Sequence, residues 1–154
     1  MFALTSYSLL KFGHVLLAIV AVGFNATYGI WLAKAAREPA HLGYTLRGIK
    51  LLDDRFANPA YALLLVTGLA MVWVGDLDLT SFWLAAALVL YAAAVIVGLA
   101  VYTPTLRAQI HALEAGGPGS SAFQQLARRS TAVGIALAVL VVVIVFLMVT
   151  KPTF

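Results

Sequence analysis

The sequence predicts an all-α, four-helix transmembrane bundle, and three observations carry that prediction. Four long apolar stretches, at about 7–32, 57–74, 82–102 and 131–150, take up most of the 154 residues. Each is near the ~20 residues that a helix rising about 1.5 Å per residue needs to cross ~30 Å of hydrocarbon. Charged residues make up only 10% of the chain and hydrophobic ones 63%, whereas soluble domains average roughly 25% charged. The apolar residues surround each stretch instead of keeping to one stripe, so the expected solvent is lipid. The chain reads as one integral membrane domain over 1–154, with little of it outside the bilayer.

The first ten residues of the sequence, which lead into the first stretch, carry no charge. The stretch lacks the basic start and short core of a cleaved signal, and is read as a retained helix. Pro39 ends its extension, because the residue before a proline avoids helical angles. His41 to Phe56 is expected to be a connector, with Leu46, Ile49 and Leu52 at roughly helical spacing for a short interfacial helix. Asn58-Pro59 is expected to open the second span, with proline in the first turn, where a missing N–H costs nothing. The tight 75–81 connection predicts an antiparallel hairpin of the second and third spans. Pro104 falls just past the third span, and Thr103 or Thr105 is expected to restart a helix beyond it. Gly116-Gly117-Pro118-Gly119-Ser120-Ser121 is a turn. The fourth span is almost wholly Val, Ile, Leu, Ala and Phe over 133–149, and reads as wall.

Lys and Arg gather in the first and third connectors: Lys34, Arg37, Arg47, Lys50 and Arg55, then Arg107, Arg128 and Arg129. The second connector has Asp76 and Asp78 and no base. The positive-inside rule then puts the basic connectors in the cytoplasm and both termini outside, in a multi-pass protein of the cell inner membrane. The same placement explains the net charge of +4 by headgroups and topology, so nucleic acid is not the expected partner. The expected partners are the lipid bilayer and further copies or a larger membrane complex. The absence of cysteine removes disulfides and thiolate chemistry.

His14 is the residue most capable of chemistry, since an ionisable group inside a span is costly. Lys11, Ala18, Ala21, Asn25 and Tyr28 continue its face at helical spacing, so that stripe is expected to turn inward. Three roles are open to the imidazole: a hydrogen bond between helices, a metal or haem ligand, or proton transfer. Counting depth along the second span brings Met71 level with His14, which makes a His/Met haem pair conceivable; gap-filling is the plainer role of a methionine. Asn25 is expected to bond between helices, with Tyr61, Thr67 and Tyr91 lining the same interior. Arg55 beside Asn58-Pro59 is expected either to anchor the inner surface or to hold an anionic group. The six acids all fall in connectors, which leaves no pair of intramembrane carboxylates for ion coupling. No phosphate loop, Ser/His/Asp set or HExxH is present.

Leu10-Lys11-Phe12-Gly13-His14-Val15-Leu16, Arg55-Phe56-Ala57-Asn58-Pro59-Ala60, Thr67-Gly68-Leu69 and Phe82-Trp83-Leu84 resemble a family of uncharacterised bacterial four-helix integral membrane proteins. More remotely, the first-helix histidine and the basic-Pro entry to the second helix are similar to the copper-resistance D family and the haem-carrying membrane protoporphyrinogen oxidases. That likeness implies b-type haem as cofactor and His14 as its ligand. The functions expected are a binder of a hydrophobic ligand, with b-type haem as the candidate, in an intramembrane pocket near His14, a haem-dependent membrane oxidoreductase, or a structural accessory subunit of a membrane complex.

Overall fold

The computed structural model describes residues 5–153, and among them no strand occurs. Four helical rods make up the chain, each long and apolar enough to cross a membrane: Ser6–Ala36, Pro39–Val74, Phe82–Gly116 and Ser121–Thr150. The first is α1 (Ser6–Ala36), opened by Thr5, whose side chain accepts from the Ser8 N–H. The second joins α2 (Pro39–Leu52) to α3 (Asn58–Val74) through a π turn at Asp53–Ala57. The third joins α4 (Phe82–Val97) to α5 (Thr103–Gly116) through a π turn at Gly98–Tyr102. The fourth is α6 (Ser121–Thr150), opened by Ser120 capping the Phe123 N–H.

Both prolines fall where the sequence put them, Pro59 in the first turn of α3 and Pro104 in the first turn of α5, just past the third apolar stretch. What differs is that neither interrupts the chain's helical path: both lie inside continuous rods. A proline inside an α-helix clashes with the carbonyl four residues back. In each rod the turn before the proline is widened instead: Asn58 N–H reaches Asp53 O, and Thr103 N–H reaches Gly98 O, both five residues back. Thr105 is not a cap, since its hydroxyl donates to Val101 O at 2.6 Å.

Two of the rods are longer than a crossing needs. The second rod has 36 residues and the third 35, or more than ~50 Å at about 1.5 Å per residue, against ~30 Å of hydrocarbon. With 58–74 and 82–102 crossing the bilayer, α2 and α5 project beyond it. The projection is where the largest buried core sits: Tyr28, Ala35, Leu42, Leu46, Ile49, Leu106 and Phe123. Leu42, Leu46 and Ile49 share one face of α2, and burying that face against α1, α5 and the start of α6 is what holds the projection together. Its surface carries the Lys and Arg of the two basic connectors. The Arg47–Glu114 pair at 3.3 Å, which ties α2 to α5, is exposed and worth at most about 1 kcal/mol.

Side-by-side packing is closest within two pairs, α1 with α3 and α4 with α6, and the pairs meet through α2 against α5. The 75–81 connection reverses the chain as expected, yet the main packing partner of α3 is α1. Two alanines let these helices approach: Ala21 and Ala60, with Leu64, form a second buried cluster on the α1–α3 seam. Both described ends and the 75–81 turn share one end of the bundle. Tyr7 lies on Gly75, and Lys151 Nζ lies 5.1 Å from the Trp83 ring centre.

Candidate functional site

The site grows from the α1–α3 seam. His14 and Thr67 meet there, with Nδ1 to Oγ1 at 2.8 Å. The Thr67 hydroxyl has one proton, and its own acceptors are the Leu63 and Leu64 carbonyls at 2.8 and 3.2 Å. With that proton committed, Thr67 accepts from His14, so the proton of the neutral ring sits on Nδ1. Nε2 is left with its lone pair and no hydrogen-bond partner within the described chain. The imidazole is half-buried and lies on Gly68: a Cβ there would stand 3.3 Å from its Cε1. Gly68 is the close approach that lets α1 bring an imidazole against α3.

The inward stripe on α1 is largely as the spacing predicts. Ala21 is fully buried, Tyr28 nearly so, and His14 and Asn25 are half-buried with partners on α3. Lys11 is exposed. Asn25 Nδ2 donates to the Tyr61 hydroxyl at 2.6 Å, and the Tyr91 hydroxyl donates to the Tyr61 carbonyl. Tyr61 thus knots α1, α3 and α4 together. This knot is not beside the imidazole: Asn25 is eleven positions along α1, about 16 Å by helical rise, and the closed Ala21–Ala60–Leu64 cluster lies between.

Met71 is displaced from the predicted level. His14 over Gly68 and Tyr7 over Gly75 fix the antiparallel register of α1 and α3. That register sets Met71 opposite Lys11, one turn nearer the termini than the imidazole. Arg55 lies exposed on the π turn, far from His14. Gly13, Gly23 and Gly29 have no atom within 4 Å of where a Cβ would stand, so none serves a close approach within the chain. His41 and His111 are exposed on the projection.

Sequence reasoning missed Asp53. It is placed in the bundle, 4% exposed, with Asn58 Nδ2 donating to its Oδ2 at 3.3 Å. The signal was present: 42, 46, 49 and 53 continue one helical face. Gln109 and Ser130 were missed too; the Ser130 hydroxyl donates to Gln109 Oε1 at 2.7 Å, a buried link from α5 to α6.

A family model described as a predicted integral membrane protein (DUF2269) matches residues 8–152. The chain belongs to that family. Neither the curated proteins nor the solved structures gave a match. A DUF2269 protein is an integral membrane protein by that description, in keeping with four apolar rods and the predicted fold class.

His14 can serve as a one-point ligand. Among the described residues no group of three or more His, Asp or Glu is gathered to hold a bare metal ion. A protein-built zinc site takes three or four such ligands. A haem brings its own four nitrogens and needs one or two from the protein. An imidazole whose Nδ1–H is held by a neighbouring oxygen is the usual arrangement of a metal-binding histidine, because the bond fixes the tautomer and the ring angle. The donor set at His14 therefore fits a haem at the nitrogen and does not fit a bare ion.

Proposed function

We propose that this membrane protein binds a flat hydrophobic ligand, of which b-type haem is the chemical class, on the flank of the α1–α3 seam through Nε2 of His14. The carrying observation is the hydrogen bond from His14 Nδ1 to Thr67, which leaves Nε2 as the one open position of a neutral imidazole. One protein ligand suffices, so the reading does not require Met71. Asn25, Tyr61 and Tyr91 support the helices that frame the ligand instead of touching it. The basic projection faces the cytoplasm of the cell in which this is an inner-membrane protein, and both termini face outward.

The test is an absorption spectrum of protein purified from haem-replete membranes. A Soret band in the wild type that is lost in His14→Ala supports the reading. A colourless wild type that also fails to take up added haem overturns it. Turnover of a porphyrinogen or a quinol by the coloured protein would extend the binder to an oxidoreductase.

A second reading, an accessory subunit packed against other helices, is favoured by one observation. Gly23 and Gly29 are exposed on α1 with open space above them, the kind of surface that admits a neighbouring helix closely. Crosslinks from α1 to a partner, in a colourless protein, would favour it.

A further inference from the structure

Asp53 is a buried carboxylate that makes no ion pair among the described residues. It begins the first π turn, which packs against α1, α2 and α3. Its neighbour Lys50 is bonded to Asp54 instead, and Arg55 points away into an exposed position. On α1 the next cation is Lys34, which lies over the Trp31 ring. On α3 no residue from 58 to 74 is charged. The charges of Lys50 and Asp54 act on Asp53 from one side; the other groups around it are polar and neutral: Asn58 donates to it, and Tyr28, Tyr61 and Tyr102 are close enough for its charge to act on each phenol.

Two further observations point at the same place. The Tyr28 hydroxyl, on a residue 4% exposed, is buried with no hydrogen-bond partner, and a buried polar group left unpaired is rare enough to need a reason. Tyr102 closes the second π turn, and its phenol is near enough for the Asp53 charge to act on it. Such turns are frequent at functional sites.

For a carboxylate removed from water, with a second carboxylate beside it and its nearest cation, Lys50, bonded to that neighbour, the ionised form is the costly one. We propose that Asp53 is a proton-binding site at the basic edge of the membrane, with the buried Tyr28 hydroxyl as the second polar partner of its carboxyl. Loading moves one proton from water at the Lys50–Asp54 side to a carboxylate oxygen. Unloading returns it, and only that O–H bond is made or broken. The site stands apart from His14 and does not depend on what that residue binds.

The test is infrared spectroscopy of the full chain in lipid vesicles with 13C-labelled aspartate, from acid to alkaline pH. At neutral pH the wild type is expected to show an aspartic acid C=O band that belongs to Asp53. The band should vanish in Asp53→Asn and shift in Tyr28→Phe. A wild type with all four aspartates ionised at neutral pH overturns the proposal without reliance on any variant. A band that survives in Asp53→Asn also overturns it, and a band unmoved in Tyr28→Phe removes Tyr28 from the site.

Discussion

His14 of α1 donates its Nδ1 proton to the Thr67 hydroxyl of α3, which passes its own proton to the backbone of the turn before it. The bond joins the two helices and sets the tautomer in one step. Thr67→Val keeps the shape and removes the acceptor. Hydrogen bonds between membrane helices average about 0.6 kcal/mol and reach about 1.7. Thr67→Val is expected to cost stability in that range and to free the imidazole, read by denaturant unfolding in micelles and by the ring nitrogen shifts of His14.

Asn25 and Tyr61 give a second, independent clasp on the same seam. Tyr61→Phe leaves the Asn25 amide without its acceptor, and Asn25→Ala leaves the phenol without its donor. A double-mutant cycle is expected to show coupling of about 0.6 kcal/mol. Coupling between Asn25→Ala and Thr67→Val should be near zero, since the closed Ala21–Ala60–Leu64 cluster separates them. Appreciable coupling there would mean that the two clasps form one network.

Gly68 and Gly48 should respond in opposite ways to alanine. Gly48, in α2, has open space where a Cβ would stand, so Gly48→Ala is expected to gain up to about 1 kcal/mol of helix propensity. At Gly68 the added carbon meets the His14 ring at 3.3 Å. Gly68→Ala is expected to lose that gain by moving the imidazole away from Thr67. Thermal unfolding of the two variants side by side reads the contrast.

Acid should loosen the 75–81 turn. The Thr80 hydroxyl and backbone N–H both donate to the exposed Asp78 carboxylate and hold its pKa below the ordinary value. A depressed folded-state pKa gives stability that is present above the unfolded value and is lost as pH falls through the folded one. Wild type is therefore expected to lose more stability than Asp78→Ala as pH drops below about 4, the ordinary range for Asp. Equal losses would show that the turn does not depend on the ionised carboxylate.

Span number and the inward face of α1 were legible because lipid imposes a simple rule on composition and helical spacing repeats it. Proline was half legible. Pro59 and Pro104 stand in the first turns of α3 and α5, as read, yet each rod runs on through them, since a π turn absorbs the clash at the cost of one irregular hydrogen bond. Asp53 was hidden for a related reason: a carboxylate between Leu52 and Asp54 looks like part of a solvated connector. Only the Leu42, Leu46 and Ile49 face, continued one step, turns it inward. Met71 shows the limit of depth counting. One turn of error along a helix is about 5.4 Å, enough to move a ligand candidate past its partner, and only the contacts of Tyr7 and His14 with two glycines fix the register.

The most direct measurement is the 15N spectrum of ring-labelled His14 in the full chain in lipid, before and after addition of haem. The account predicts a neutral ring with the proton on Nδ1, an unprotonated Nε2, and a change centred on Nε2 when haem is added. A ring that carries its proton on Nε2, or an Nε2 signal indifferent to haem, would contradict it.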